Sequence, residues 1–282
     1  RPSTYNGTWK EKKLSTKKSS SGRNSGAYFT FDTDEIEKIN YRIAISFVSI
    51  ENAKENLRNE EKHLTFEEYQ RETSKEWDSY LSTIKVKSKN EDRIKQFYTH
   101  FYHSLIHPNI VSDINGEYMG ADFKIHKTKE NREQYSSFSV WDTYRTQGQL
   151  IAMLFPKKSS DMMQSLVDFA EQAGGYGRWI LANIETGIMQ GDPTPILISN
   201  SFAFGGDDFD LKTAYRYMKK GALIPRLYSQ KQEVRPYLEE YINNGHTFAS
   251  MSLEYASADF AIAQFALNAV ANEKDYKYFK DR

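Results

Sequence analysis

Hydrophobic residues recur every three or four positions from about residue 52 onward, the spacing that places them along one face of an α-helix. One stripe comprises Phe66, Tyr69, Thr73, Trp77, Tyr80 and Ile84, and a second comprises Ile94, Phe97, Phe101 and Leu105, ahead of Pro108. Gly, Pro and Asn separate the stripes. The pattern predicts a mainly helical chain of antiparallel helical hairpins, arranged either as a bundle or as a ring. Periodicity does not distinguish these two arrangements.

Capping residues predict where several later helices begin and end. The expected pairs of start and end are Ser159 or Ser160 with Gly174, and Asp210 with Gly221. A further helix is predicted near residues 234–243, and the last runs from about Ser252 into the 270s. The residues expected to face inward on this last helix are Leu253, Ala256, Phe260, Ala263, Leu267 and Val270.

The first 50 residues have a different pattern. A Lys-, Ser- and Gly-rich stretch over residues 10–26 predicts a flexible surface loop, and segments 28–32 and 41–49 predict strands. Because two or three strands cannot bury a sheet by themselves, we expect them to be the last strands of a β-domain whose earlier part is not in this sequence. The predicted domains are therefore residues 1–50, the end of that β-domain with its loop, and residues 51–282, which are helical.

Charge and composition argue against several classes of function. The 38 basic and 38 acidic residues cancel, so the chain has no electrostatic signature of binding to nucleic acid or to a membrane surface. No apolar run is long enough to span a bilayer. The absence of Cys excludes disulfides, thiolate catalysis and thiolate metal sites. Aromatic residues, 14% of the chain, suit a packed core and also suit contacts with a neutral carbohydrate.

Two short segments combine aromatic and charged residues. They are FSVWDTYR at residues 138–145, with Trp141, Asp142 and Arg145, and RWILANIET at residues 178–186, with Arg178, Trp179 and Glu185. Both lie beside breaks in the helical pattern, where a rigid scaffold usually presents its functional groups. An indole ring can cover the apolar face of a sugar, charged groups can bind its hydroxyls, and a further carboxyl group can protonate a leaving group. The combination indicates a carbohydrate site.

Several motifs occur in the order and spacing found in one enzyme family. They are FSVWDTYR, WILANIETGIMQGDP at residues 179–193, SLEYASADFAIAQFA at residues 252–266 and, upstream, DINGEYMGAD at residues 113–122. Over most of residues 41–272 the chain resembles glycoside hydrolase family 92, the α-mannosidases. The resemblance implies part of an (α/α)6 toroid catalytic domain, preceded by the last strands of an N-terminal β-sandwich. It also implies exo-acting, inverting, Ca²⁺-dependent hydrolysis of α-linked mannose, and we favour the α-1,2 linkage of glycans.

The resemblance also assigns roles to individual residues. Glu185 would be the general acid, which its apolar neighbours support because burial raises the pKa of a carboxyl group; the alternative is a surface or capping glutamate. The expected sugar contacts are Trp141, Asp142, Arg145, Trp179 and Glu254. For Asp142 and Arg145 the alternative is an intrahelical ion pair worth about 0.2–0.5 kcal/mol. Glu254 lies among Ala and Ser on a predicted helix, where a buried charge needs a partner, either the sugar or the calcium shell.

The sequence assigns no metal ligands. Asp207, Asp208 and Asp210 resemble part of a calcium loop but lack the remaining ligand spacing, so a solvated helix cap is favoured. Three histidines follow helical spacing that could suit zinc, but no further ligand is evident, so a packing role is favoured. These are His100, His103 and His107.

One element that the resemblance requires is missing. Inverting hydrolysis needs a second carboxylate as base, which the family carries in a C-terminal Gly-Asn-Asp motif that does not occur here, and Asn200 stands where the family usually has Asp. We therefore expect part of a mannosidase that does not turn over substrate alone, with a mannose-containing glycan and the missing portions of the same protein as partners. The alternative is an inactive carbohydrate-binding or structural helical fragment.

Overall fold

The structure is a computed structural model that describes residues 5–32, 34, 38–61, 64–129, 131–225 and 231–282. It consists of two compact units, Arg1–Ile43 and Ala44–Arg282. Strands form the first unit and helices dominate the second, so the predicted mainly helical class is confirmed. Among the described residues, no helix has both the length and the apolar character needed to cross a membrane.

The first unit contains a three-stranded antiparallel sheet. Its strands are β1 (Tyr5–Lys10), β2 (Lys13–Ser15) and β3 (Ser25–Thr30), in the order β2-β1-β3. The loop predicted over residues 10–26 is therefore partly wrong, because it includes β2 and the start of β3. The strand predicted over residues 41–49 is also wrong: that segment pairs with no other described segment, and Tyr41 and Ile45 are exposed. An alternating pattern forms a strand only where a partner backbone accepts its hydrogen bonds.

The second unit contains the helices and three short antiparallel strand pairs. The helices are α1 (Ile50–Glu61), α2 (Phe66–Leu81), α3 (Glu91–Ser104), α4 (Val140–Thr143), α5 (Gln147–Leu154), α6 (Pro156–Ala173), α7 (Pro193–Ala203), α8 (Leu211–Leu223), α9 (Leu238–Asn244), α10 (Ala249–Asn268) and α11 (Glu273–Asp281). The strand pairs are β4 (Asn109–Ile110) with β7 (Tyr135–Ser136), β5 (Glu117–Met119) with β6 (Ile125–Lys127), and β8 (Ile180–Leu181) with β9 (Ile184–Glu185).

The main core lies where α6, α8 and α10 meet. Leu166 of α6, Met218 of α8 and Ile262 of α10 are completely buried in it. Phe265 of α10 adds edge-on contact with Phe202, at 5.5 Å between ring centroids. Phe138 and Val140 from the first aromatic and charged segment, and Ile180 from the second, also belong to this core.

Helix ends agree only in part with the caps expected from the sequence. Gly174 ends α6 in the left-handed conformation, and the Asp210 side chain accepts a hydrogen bond from the Thr213 N–H at the start of α8, so both predictions are confirmed. The predicted start of α6 is wrong: the helix begins at Pro156, whose missing N–H is no loss in the first turn, and Ser159 and Ser160 lie buried inside it.

Two other ends differ by a few residues. Gly221 lies inside α8, which continues to Leu223 because neighbouring helices bury that turn. The helix predicted over residues 234–243 begins later, at Leu238, after a segment that enters the core through Val234.

The inward face predicted for α10 is largely wrong. Leu253 and Phe260 are 71% and 55% exposed, whereas Met251, Tyr255 and Ile262 are buried. The helix also ends at Asn268, and the separate α11 follows. The α10 helix itself carries apolar or small residues on most of its sides, so the periodicity of its sequence does not indicate which side is buried. Its contacts with α7, α8 and α11 determine the buried side.

Substitutions on α10 test this orientation. Ile262→Ala should lower the free energy of unfolding by about 2–5 kcal/mol, because it leaves a cavity in the main core. Leu253→Ala, the matched control on the exposed side, should change it by less than about 0.5 kcal/mol. Urea denaturation followed by circular dichroism measures both, and equal losses would contradict the orientation.

Candidate active site

Glu185 lies on a tight hairpin formed by β8 and β9, in which Ile180 pairs with Glu185 and Leu181 with Ile184. The turn residue Ala182 has a φ of 53°. Hydrogen bonds attach the hairpin to neighbouring segments: the Ile180 N–H donates to the Phe138 carbonyl at 2.9 Å, the Asn183 side chain donates to the Gly120 carbonyl at 2.9 Å, and the Ser136 hydroxyl donates to the Ala182 carbonyl. The position of the Glu185 backbone is therefore set from several sides.

The Glu185 carboxyl group is 3% exposed and accepts three main-chain N–H groups. Its Oε2 accepts from Arg178 at 2.8 Å and from Trp179 at 3.3 Å, and its Oε1 accepts from Gly187 at 2.9 Å. Burial raises the pKa of Glu185 above the ordinary value; these N–H groups and the Arg178 charge offset only part of that effect. A carboxyl group of this kind retains its proton more readily than an exposed one.

Glycine permits the close approach of the chain to Glu185. A Cβ atom on Gly177 would lie 2.5 Å from Glu185 Oε2, which real side chains do not tolerate. Any larger residue at position 177 would push the carboxyl group away from the N–H groups of Arg178 and Trp179.

Glu254 of α10 and Trp141 of α4 contact each other. The indole Nε1 of Trp141 donates to Glu254 Oε1 at 3.1 Å. The other carboxylate oxygen, Glu254 Oε2, is buried and has no hydrogen-bond partner among the residues that the structure describes. Gly191, at a φ of 76°, lies against this side chain, since a Cβ there would be 2.5 Å from the Glu254 Cβ. The loop that follows Glu185 thus reaches Glu254 at Gly191.

Arg145 stacks on aromatic rings and makes no ion pair within the part of the chain that the structure describes. Its guanidinium carbon lies 4.7 Å from the Trp141 ring centroid and 4.9 Å from that of Tyr144. Asp142 is exposed and accepts a hydrogen bond from the Ser139 hydroxyl. The alternative of an Asp142–Arg145 ion pair is therefore wrong in this structure; attraction between a cation and the aromatic faces places Arg145 instead.

The predicted site residues thus form two groups. Trp141 contacts both Glu254 and Arg145, and Asp142 follows Trp141 in the chain. Glu185 contacts the main chain of Trp179, whose side chain is half-buried. The loop over residues 186–191 connects the two groups.

Sequence reasoning missed a buried ionic network beside this loop. Arg235, completely buried, donates from Nε to Asp192 at 2.7 Å and from Nη1 to Asp259 at 2.8 Å. Asp259 also accepts from Arg282 Nε at 2.6 Å and from the Tyr241 hydroxyl at 3.3 Å. Burial alone would lower the pKa of Arg235, but the two aspartates outweigh it and the pKa is raised. The network joins the end of the loop to α10 and to the last residue.

One signal in the sequence could have indicated this network. Asp259 lies among small and apolar residues on α10, as Glu254 does, and a buried carboxylate there requires a cation. Its arginine partners, however, come from distant parts of the chain.

The suggested metal residues have other contacts. Asp210 caps α8, as predicted, and Asp208 pairs with Arg132 at 3.1 Å. The described part of the chain has no group of three or more His, Cys, Asp or Glu side chains placed to hold a metal ion, and this includes the three histidines at and after α3.

The family identity follows from a sequence comparison. A sequence model of the glycosyl hydrolase family 92 catalytic domain matches residues 52–282. The chain belongs to glycosyl hydrolase family 92. A comparison with curated proteins finds no significant match to this family 92 chain.

Solved structures share the fold of this family 92 chain. The GH92 inverting mannosidase BT2199 from Bacteroides thetaiotaomicron VPI-5482 superposes with a TM-score of 0.86 at 21% identity, over 99% of this chain and 39% of that one. The GH92 α-mannosidase BT3965 from Bacteroides thetaiotaomicron gives 0.81 at 24% identity, over 99% and 38%; its complex with mannoimidazole gives 0.79 at 24%, over 99% and 37%. The chain thus spans about two fifths of the length of these proteins, and the likeness concerns the fold alone.

Breaking the buried network of the family 92 chain should be costly. Arg235→Met leaves Asp192 and Asp259 without their shared cation, so we expect a loss of about 3–5 kcal/mol in the free energy of unfolding. Arg216→Met is the matched control: its pair with Glu171 is solvent-exposed and should contribute no more than about 1 kcal/mol. Guanidinium denaturation measures the free energy of unfolding of both variants. Similar losses would contradict the prediction that the buried ion pairs of Arg235 matter more to the fold than an exposed pair does.

The raised pKa of Glu185 predicts a pH dependence of stability. A carboxyl group with a higher pKa in the folded state stabilises the fold below its unfolded pKa, and that contribution is lost as the pH rises through the folded pKa. The stability of the wild type relative to Glu185→Gln should therefore fall as the pH rises above the ordinary value of 4.5. Thermal unfolding at a series of pH values measures this difference.

Asp210→Asn is the control of opposite sign. The Thr213 N–H lowers the pKa of Asp210, so the contribution of this carboxylate should be lost as the pH falls, while Asn can still cap α8. Slopes of the same sign for both variants would contradict the assignment.

Proposed function

We propose that this chain forms part of an exo-acting α-mannosidase that hydrolyses α-linked mannose of glycans with inversion, and we favour the α-1,2 linkage. Family membership supports the reaction class. The observation that carries the proposal is the buried Glu185 carboxyl group with its raised pKa, because a general acid at neutral pH must retain its proton until the leaving group departs.

In the proposed reaction Glu185 gives its proton to the glycosidic oxygen as the bond from that oxygen to the anomeric carbon breaks. A water molecule attacks the opposite face of the sugar and gives a proton to a second carboxylate, which lies about 6.5–9.5 Å from the acid in inverting enzymes. The chain contributes the acid in this proposal, and the base is not assigned to any of its residues.

The remaining site residues are proposed to bind mannose. The Trp141 ring would cover an apolar face of the sugar, and Glu254, which the Trp141 N–H orients, would accept a hydroxyl hydrogen at its unpartnered Oε2. Asp142 and Arg145 lie at the exposed edge of this group, within reach of further hydroxyls. Trp179 would contact the sugar next to the acid.

Calcium dependence belongs to the proposal for the complete enzyme. Glu254 Oε2 is a buried carboxylate oxygen with no hydrogen-bond partner in the described part of the chain, and Ca²⁺ binds oxygen atoms of this kind. One oxygen does not make a calcium shell, and the described residues supply no cluster of three or more such ligands. The described residues therefore do not fit the ion by themselves, and no step of the proposed reaction passes through it.

The finer architecture is proposed from the same resemblance. The helices of residues 51–282 would be part of an (α/α)6 toroid, and residues 1–50 would be the end of an N-terminal β-sandwich. The antiparallel sheet of the first unit and the superposition on BT2199 are consistent with this arrangement.

A second candidate is a carbohydrate-binding or structural part of such an enzyme without a catalytic Glu185. The observation in its favour is that the carboxyl group accepts three main-chain N–H groups, which is also how a glutamate organises a loop. The two candidates predict different effects of Glu185→Gln on kcat for substrates that differ in their leaving group.

The decisive test uses the enzyme extended to the length of its solved relatives. Glu185→Gln should lower kcat for α-1,2-mannobiose about 10²–10⁴-fold, and much less for 4-nitrophenyl α-mannoside, whose leaving group needs little protonation. Binding of mannoimidazole, measured by calorimetry, should persist. Glu254→Gln is the companion variant and should raise KM for both substrates.

Equal losses with both leaving groups would contradict the acid role and favour the structural one. The chain alone is assayed with α-1,2-mannobiose in calcium and then in chelator. We expect no release of mannose, because in this proposal none of its residues acts as the base that activates water. The α-1,3 and α-1,6 disaccharides, assayed in parallel with the extended enzyme, decide the linkage.

A further inference from the structure

An exposed pair of aromatic rings lies where α9 and α10 begin. Tyr237, the residue before α9, and Phe248, the residue before α10, meet edge-on at 5.2 Å between ring centroids. They are 55% and 45% exposed. Single exposed apolar residues are ordinary on a protein surface, but two exposed rings in contact form a small apolar surface that core packing does not explain.

The backbone of Tyr237 has a conformation that few bulky residues adopt. Its φ is 60° and its ψ is 24°, in the left-handed region, where the Cβ atom of any residue other than glycine is crowded. The chain therefore carries a tyrosine where glycine would be less strained. Because strained residues of this kind cluster at functional sites, the observation favours a role for the exposed ring itself.

Tyr237 follows a segment that is attached to α10. The carbonyl of Pro236, the preceding residue, accepts a hydrogen bond from the Tyr255 hydroxyl at 2.6 Å. Tyr255 is completely buried and directly follows Glu254 in the chain. The backbone that carries the Tyr237 ring is thus fixed beside the helix turn that carries a proposed sugar ligand.

Phe248 is connected to the loop that follows Glu185. Met251 lies three residues after Phe248, and its sulfur atom accepts a hydrogen bond from the Gly191 N–H at 3.2 Å. Gly191 also lies against the Glu254 side chain. Phe248 precedes Glu254 by six residues, which corresponds to about 9 Å along the axis of α10. The ring pair therefore lies next to the candidate active site without belonging to the group around Glu254.

A buried hydroxyl group beside the pair has no partner. Thr247, which precedes Phe248, is 7% exposed, and its Oγ1 makes no hydrogen bond within the part of the chain that the structure describes. Its main-chain N–H donates to the Ser252 hydroxyl, which in turn donates to the Thr247 carbonyl. Buried polar groups are rarely left unpaired, because this costs free energy. An apolar segment packed over the rings would leave the hydroxyl unsatisfied, whereas a ligand rich in hydroxyl groups supplies a partner.

We propose that Tyr237 and Phe248 bind the sugar that follows the terminal mannose of the glycan, and that Thr247 bonds to a hydroxyl group of that sugar. This deepens the proposed function and rests on it. An exo-acting enzyme holds one terminal sugar at its acid, so every other sugar of the substrate lies on the side of the leaving group. Aromatic rings cover the apolar face of a sugar and carry no charge, which suits a neutral glycan. The pair thereby contributes to the choice among glycans.

The first experiment measures binding without turnover, in the enzyme extended to the length of its solved relatives. The probes are methyl α-mannoside, which has one sugar, and the tightest binder among the sulfur-linked analogues of α-1,2-, α-1,3- and α-1,6-mannobiose, which resist hydrolysis. By calorimetry, Tyr237→Ala and Phe248→Ala should each weaken the two-sugar probe about 3–10-fold and leave methyl α-mannoside within about twofold. Thr247→Val should weaken the two-sugar probe about 2–10-fold.

Tyr278→Ala is the matched control. Tyr278 on α11 is 47% exposed and meets Phe279 edge-on at 5.1 Å, so it belongs to a similar aromatic pair on another helix. Its loss should change both affinities by less than about twofold. Tyr237→Phe keeps the ring and should retain the affinity for the two-sugar probe.

Tyr237→Gly separates binding from folding and covers the case in which Tyr237→Ala is unstable. Glycine fits the left-handed backbone, so this variant should unfold at a temperature no lower than that of Tyr237→Ala. It should nevertheless lose the affinity that depends on the ring. A structural role for the ring predicts lower stability with unchanged affinity instead.

Several results would overturn the proposal. They are unchanged affinity for the two-sugar probe in Phe248→Ala or in the folded Tyr237 variants that lack the ring, equal losses for both probes, and a wild type that binds no two-sugar probe. Unchanged affinity in Thr247→Val would overturn the role of that hydroxyl.

The mannosidase proposal is judged separately, by release of mannose from the disaccharides. Weaker binding of the two-sugar probe in Tyr237→Ala, in an enzyme that releases no mannose, would retain the sugar contact and reject the proposed reaction. Release of mannose by the wild type, with binding unchanged in Tyr237→Ala and Phe248→Ala, would retain the reaction and reject the contact.

Discussion

The geometry of the candidate site depends on the ion pairs that Arg235 forms with Asp192 and Asp259. It reaches Asp192 at the end of the loop that follows Glu185 and Asp259 in the middle of α10, and it is completely buried. Buried ion pairs are weak evidence for stability, because desolvation offsets much of their attraction, but they permit few alternative arrangements. The loop that follows Glu185 and the helix that carries Glu254 are thereby connected through one buried side chain.

Close backbone approach is the second constraint. Gly177 lets the chain pass beside the Glu185 carboxyl group, and Gly191 lets the loop lie against Glu254, each at a distance that excludes a side chain. Glu185 directly precedes the loop over residues 186–191, and Glu254 lies against the end of that loop at Gly191. A site built in this way is sensitive to residues that themselves carry no chemistry.

Glu185 combines a structural and a chemical property. Its three N–H contacts and the Arg178 charge favour the ionised form, while burial favours the protonated form and prevails. A general acid needs both forms to be accessible during one reaction cycle. The general-acid role that we propose for Glu185 relies on this opposition between burial and the N–H contacts.

Local sequence information determined the helical class, the Gly174 and Asp210 caps and the family motifs, because each depends on residues within a few positions of one another. Only the tertiary structure decided which side of α10 is buried and which charges meet. Trp141 and Glu254 are 113 residues apart, and Arg235 is 43 residues from Asp192. Periodicity and capping carry no information about contacts between residues so far apart in the chain. The packing of other helices selects these contacts, together with the need of each buried charge for a partner.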